Sequence, residues 1–313
     1  MDQDHFSTFA GFPFCSDLDE LTAEMAVIGI PFGVPYDASQ PPDSLNAPAA
    51  IRRESAQYPD DPVAWDFDLG GTLLDGTDAR VVDCGNLPGS QIEPQQNQRS
   101  AVTAIRKILA AGAIPLVLGG DDSIPIPVLR AYEGCEPFYI LQLDAHIDWR
   151  DHVNGISEGY SSTMRRASEM PWVKGITQVG MRAVGSAREE EIQAAHNYGA
   201  NLIPASIIRR RGIDAALSYL PSGSRCFITI DLDVFDPMVM PAANSLTPGG
   251  LEYFEVIELI HAAAQNNQVV GACIVSLVPE MDMNNIGSIT AMRIMWNLIG
   301  SIARKKSGQA SDQ

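Results

Sequence analysis

Residues 113–125 read AIPLVLGGDDSIP: an apolar run, two glycines, two adjacent carboxylates and a proline. A short run of branched aliphatic residues predicts a buried strand at Ile114–Leu118. The same device recurs along the chain. Further strands are expected at Met25–Ile30, Arg80–Val82, Phe138–Leu143, Ile176–Val179, Cys226–Ile230 and Val269–Leu277. Between them lie helical stretches at Ala47–Ser55, Gln98–Ala111, Ile126–Tyr132, Ala187–Tyr198, Ser206–Leu217 and Tyr253–Ala264. A last helix is expected at Ser288–Lys305, where Ile289, Met292, Trp296 and Ile299 recur at helical spacing and Met295 widens the buried face. Strands alternating with helices predict an α/β fold, a mostly parallel sheet covered on both faces. No linker or repeat interrupts residues 1–313, so one domain is expected, with a polar tail from about Lys305 to Gln313.

The composition narrows the function. A net charge of −18 argues against a nucleic-acid partner, because phosphate binding needs clustered Lys and Arg. Five dispersed cysteines without a CxxC pair fit a reducing compartment better than a disulfide framework. The opening MDQDHFSTFAGF lacks a basic region and a continuous apolar core, and so does not read as a signal peptide. No apolar run approaches the ~20 residues of a membrane helix. The expectation is a soluble cytoplasmic protein.

In parallel sheets, sites form outside the carboxyl ends of strands. Three strand ends carry acids: Asp121-Asp122, then Asp144-Ala-His146-Ile-Asp148, then Asp231-Leu-Asp233-Val-Phe-Asp236. If the strands continue, alternation puts Asp144, His146 and Asp148 on one side, and likewise Asp231 with Asp233. Asp121 and Asp236 read as turn residues. The other acids cannot gather at buried strand ends without a cation, since ionised carboxylates out of water are costly unless paired. A pair of divalent ions is the simplest solution, and mixed oxygen and nitrogen ligands suit Mn²⁺, Fe²⁺, Co²⁺, Ni²⁺ or Zn²⁺ better than Ca²⁺. Two such ions activate water and polarise the atom it attacks, so the implied chemistry is hydrolysis. GGDDS lacks the lysine and spacing of a phosphate loop.

The blocks NAPAAIRRES (46–55), GGDDS (119–123), DAHID (144–148) and DLDVFDP (231–237), the last followed by PGGL, resemble the signatures of the ureohydrolase family, which includes arginase, agmatinase and guanidinobutyrase. SSTMRRASE (161–169) and QVGMR (178–182) are most similar to the agmatinase-like branch. The resemblance implies a three-layer αβα sandwich with a binuclear Mn²⁺ or Ni²⁺ centre that hydrolyses a guanidino carbon–nitrogen bond. By resemblance, Asp144 and Asp231 bridge two metals, Asp148 and Asp122 complete one shell, and His146 and Asp233 complete the other. Trimers or hexamers are implied in the same way.

Three positions depart from the family pattern. Asp122 stands where the family has histidine. It is either an unusual ligand or the mark of a weakened metal position. The family's acid–base histidine has no counterpart, and His152, Glu158 and Tyr160 are the candidates for its role. Ser276 replaces the glutamate that holds the guanidinium, with Glu280 nearby as a potential substitute. Gaining Asp122 and losing that glutamate leaves the pocket charge unchanged, which points to a different small cationic guanidino-type substrate. An N-alkylated guanidine or a biguanide such as metformin fits beside agmatine-like compounds. The alternative is a non-catalytic subunit that supports an active paralogue in a hetero-oligomer, rather than an enzyme that works as a homo-oligomer. A metal-dependent deacetylase or phosphatase fits the motif order worse.

Overall fold

The computed structural model describes residues 7–37, 43–57, 64–90, 93–185 and 187–307. The first six residues and most of the polar tail expected after Lys305 lie outside these. The chain runs β1 (Met25–Ile30), α1 (Ala47–Ser55), β2 (Val81–Asn86), α2 (Pro94–Ala110), β3 (Ile114–Gly119), α3 (Pro125–Arg130), β4 (Phe138–Leu143), α4 (Thr163–Ser168), β5 (Val173–Val179) and α5 (Glu189–Tyr198). It continues through β6 (Asn201–Ile203), α6 (Ala205–Arg211), α7 (Asp214–Leu217), β7 (Arg225–Asp231), α8 (Tyr253–Asn266), β8 (Gln268–Val275) and α9 (Ile286–Ser307).

The eight strands form one sheet in the order β2-β1-β3-β8-β7-β4-β5-β6. Every neighbouring pair is parallel. Helices cover both faces. On one, Leu116, Leu141 and Ile228 pack with Ile51 of α1, Leu259 of α8 and Met292 of α9. On the other, Val117, Ile140 and Phe227 pack with Ile105 of α2, Leu129 of α3 and Met164 of α4. Burial on both sides explains why these strands read as continuous apolar runs rather than as alternating ones. Beneath α1, Arg52 is 1% exposed and pairs with Asp83 of β2 at 2.7 Å.

The expected elements differ from the observed ones in a few places. Ser206–Leu217 is two helices, because Gly212 adopts φ 73° and caps α6 by donating to the carbonyl of Ile208. The sequence reading missed α4 and β6. The first offers only Thr163, Met164 and Ala167 to the core, and the second is a three-residue edge strand, too short to show a period. The α9 segment Ile286–Lys305 is long and apolar enough to cross a membrane by length and composition, contrary to the expectation that no run approaches that length. Yet 72% of its apolar window is buried within the protein, as in a core helix.

Two strands consecutive in sequence, β3 and β4, stand apart in the sheet with β8 and β7 between them. The carboxyl ends of β3, β4 and β7 deliver the acids, and that of β8 delivers Ser276.

Candidate metal centre

After β3 the chain turns sharply. A Cβ at Gly120 would lie 1.6 Å from the carbonyl oxygen of Phe32, so only glycine can pass there. The Asp121 carboxylate is then engaged locally. Its Oδ1 accepts from the Ser123 backbone at 2.9 Å and hydroxyl at 2.5 Å, and its Oδ2 accepts from the Val34 backbone at 3.1 Å. Burial raises its pKa to about 6 against the lowering effect of these bonds. Asp236 is likewise a loop residue, accepting from Met238 and Gly249. Asp122 is different. It is 3% exposed, and among the described residues neither carboxylate oxygen has a hydrogen-bond partner; the neighbouring Thr163 hydroxyl donates to its backbone carbonyl instead. A buried acid in that state demands an explanation, because an unsatisfied buried polar group costs about 1–3 kcal/mol or more.

The strand ends at Leu143, as expected, and does not continue through Asp148. The backbone of His146 donates to Oδ1 of Asp144 at 2.6 Å, closing a turn, and Asp148 follows with φ 51°. A turn, not strand alternation, brings these side chains together. Likewise, β7 ends at Asp231, and a single 3-10 turn follows in which the Asp233 backbone donates to Oδ1 of Asp231 at 2.9 Å. The two loops are stitched to each other. The Ala145 backbone donates to Oδ1 of Asp233 at 3.0 Å, and Nδ1 of His146 lies 2.9 Å from its Oδ2.

Two donor sets result. Asp144, His146 and Asp233 bring ligand atoms within 4.8 Å of one another, and so do Asp122, Asp144 and Asp231. Asp144 belongs to both sets, whereas Asp231 belongs only to the second. Asp148 stands beside them. Gln142 donates to Oδ2 of Asp144 at 2.7 Å and to Oδ2 of Asp148 at 2.8 Å. Behind Gln142, its register partner Gln178 donates to its carbonyl at 2.5 Å and to the carbonyl of Ile147 at 2.8 Å. The Trp149 indole donates to Gln178 at 2.6 Å. The sequence reading missed both glutamines. The available signal was a polar residue inside each of two otherwise apolar strand ends.

All five acids are buried, with exposures of 1–6%. Burial first, and then mutual repulsion, holds Asp122, Asp144 and Asp231 well above the usual carboxylate range. Burial opposes charging His146, but Asp233 and the neighbouring acids override it and lift its pKa to about 9. The cluster thus gathers acids that can ionise together only beside added positive charge, and among the described residues the Asp122 carboxylate accepts no hydrogen bond. Residues in this state fit a pair of divalent cations.

Four of these acids, Asp122, Asp148, Asp231 and Asp233, line a cavity of ≈ 410 Å³ together with His146 and Asp121. Tyr36, Val153 and Tyr160 line its wall, with Arg150 among them. The Tyr36 and Tyr160 rings lie 4.5 Å apart, and a Cβ at Gly159 would collide with the Tyr36 ring. Ser276 also lines the cavity, and its hydroxyl donates to Asp231. Among the described residues, the other candidates for acid–base or substrate-holding roles stand outside it. Glu158 pairs with Arg130, His152 lies beside Asp151 on the surface, and Glu280 accepts from Asn46 at 2.6 Å. Of His152, Glu158 and Tyr160, only Tyr160 reaches the cavity.

Residues 23–300 match the model of the arginase family. An N(1)-aminopropylagmatine ureohydrolase of Thermus thermophilus is 31% identical over 193 residues, which cover 61% of this chain and 64% of that protein. An agmatinase of Pyrococcus horikoshii is 26% identical over 289 residues, covering 92% of this chain and 95% of that one. Among solved structures, the proclavaminate amidino hydrolase of Streptomyces clavuligerus superposes with a TM-score of 0.83 at 24% identity, covering 96% of this chain and 97% of its own. That likeness bears on the fold.

Proposed function

The chain belongs to the arginase family, and we propose that it is a binuclear-metal hydrolase cleaving a carbon–nitrogen bond of a guanidino-type compound. The products are an amine and urea or a substituted urea. One observation carries the reading: two donor sets sharing Asp144 meet beneath the cavity, and among the described residues the Asp122 carboxylate oxygens there accept no hydrogen bond. The relatives named for agmatine and aminopropylagmatine hydrolysis support the substrate class.

Asp122, Asp144, Asp148, Asp231, Asp233 and His146 would hold two divalent ions; the donor types suit the first-row transition ions, and the family resemblance narrows these to Mn²⁺ or Ni²⁺. When bound, such a pair supplies the Lewis acidity that ionises water near neutral pH. The chain's own residues do the rest. Gln142 holds Asp144 and Asp148 side by side. The acidic floor draws a cationic head group inward, and the tyrosine wall offers it an aromatic face. Burial keeps the Tyr160 phenol above its ordinary pKa, so it stays protonated and can pass a proton to the departing amine nitrogen.

The finer substrate preference rests on Ser276. Its hydroxyl is committed to Asp231, so this position offers the substrate no carboxylate. A planar cation gripped by its faces, with small alkyl groups against Tyr36, Val153 and Tyr160, suits this cavity better than one gripped by a charge-to-charge fork. An N-alkylated guanidine or a biguanide such as metformin therefore ranks above agmatine.

The test is an amine-release screen of the purified chain loaded with Mn²⁺ or Ni²⁺, across guanidino acids, agmatine, N-alkylguanidines and biguanides. Metal-dependent release is expected, fastest on the alkylated compounds. A purified chain that binds no metal would defeat the proposal and favour the supporting-subunit reading, which co-purification with an active paralogue would then test; two tightly held metals without turnover would point to a guanidino compound outside the screen.

A further inference from the structure

The two donor sets are not chemically alike. The first contains an imidazole, with Nδ1 of His146 lying 2.9 Å from Asp233 and 3.4 Å from Asp144. The second, Asp122, Asp144 and Asp231, offers only carboxylate oxygens. In that second set Asp122 is buried, lines the cavity and, among the described residues, accepts no hydrogen bond at either carboxylate oxygen, which leaves those lone pairs for a cation.

We propose that the two cation positions differ in metal preference, the Asp122 position taking a hard, oxygen-seeking divalent ion of the Mn²⁺ or Mg²⁺ class and the His146 position a borderline ion of the Ni²⁺, Co²⁺ or Zn²⁺ class. The proposal rests on reading the acid cluster as a metal centre. Its chemical basis is ligand type. Imidazole nitrogen strengthens binding of the later transition ions, whereas carboxylate-only sets suit Mg²⁺ and Mn²⁺. Where both positions carry an imidazole, one late ion is favoured at each. Here Asp122 removes that advantage at one position alone. The charge count favours occupancy by two ions, since five buried carboxylates exceed the charge of two divalent cations and leave the floor attractive to a cationic substrate.

The experiment strips the full chain with chelator, dialyses it against Mn²⁺ in large excess over Ni²⁺ to offset the general affinity order of these ions, and counts both metals by mass spectrometry, with electron paramagnetic resonance reporting the Mn²⁺ environment. About one ion of each kind per chain is expected. Asp122→His should shift the loading towards two Ni²⁺, and His146→Asp towards two Mn²⁺. Should either variant fail to fold, titrating Mn²⁺ into the Ni²⁺-loaded parent chain reads the same property, with half of the nickel released. Two ions of one kind from the mixed bath, release of all or none of the nickel, or an Asp122→His chain that loads like the parent would each overturn the proposal. Amine release from the same samples tests the proposed function separately. Unequal loading without turnover counts against the proposed substrates and leaves this proposal standing.

Discussion

Ser276 donates its hydroxyl to Oδ2 of Asp231 at 2.6 Å, from a backbone held at φ 69°. A non-glycine residue in that region carries strain, which the surrounding bonds must outweigh. The Ser276 backbone donates to the Gly120 carbonyl at 2.7 Å, and its own carbonyl accepts from Asn244 at 3.2 Å. The serine thus ties the ends of β3, β7 and β8 together around an acid. Ser276→Ala should lower stability by about 1–2 kcal/mol, measured by denaturant unfolding of the metal-free protein. An unchanged midpoint would show that the hydroxyl has no such role.

Gln142 is the buried donor to two acids at once. Gln142→Glu keeps its shape but replaces both N–H donors with a further carboxylate beside Asp144 and Asp148. Metal affinity should fall by about 10–100-fold, as read by calorimetry or chelator competition. Affinity within twofold of the parent would mean that the acids are positioned without it.

Tyr160→Phe should lower kcat by about 100-fold with little change in KM, as expected when an acid acts on the leaving group. His152→Ala and Glu158→Gln should leave the rate near that of the parent. His152 is on the surface, and Glu158 is engaged by Arg130 away from the cavity. A rate that collapses in His152→Ala and survives in Tyr160→Phe would reverse the assignment.

The pH dependence of the metal-free protein has a definite sign. Asp122, Asp144 and Asp231 have folded pKa values raised above 3.8, so folding takes up protons. Their stabilising contribution is complete below the unfolded value and is lost as pH rises through the folded ones. His146 acts in the same sense, with a contribution complete below about 6.5 and lost as pH rises through about 9. With chelator present, Tm should therefore be lower at pH 8 than at pH 5. Added Mn²⁺ or Ni²⁺ should restore more at pH 8, where the ligands are deprotonated. A Tm that rises from pH 5 to pH 8 in chelator would contradict this.

Much of this was legible along the chain, for physical reasons. Met25–Ile30 and Phe138–Leu143 are buried on both faces, so their apolar runs end where the strands end. The gathering of acids followed from placing Asp122, Asp144 and Asp231 at the ends of such runs. Other features depend on contacts between distant segments. Glu158 is captured by Arg130, and Tyr160 lies against Tyr36 at the cavity wall, which no local pattern records. Gln142 and Gln178 look like interruptions in their strands until parallel register sets them side by side.

The glutamine pair and Trp149 also have a direction. An indole nitrogen can only donate, so it requires the carbonyl of Gln178 to face it and the amino group to face away. That amino group then requires the carbonyl of Gln142, whose own amino group must in turn face the two acids. Neither amide can reverse without setting like against like. A tryptophan on the far side of two side chains therefore acts as a ratchet pawl: it decides which way every dipole in the row points, and hence that the acids receive protons rather than lone pairs.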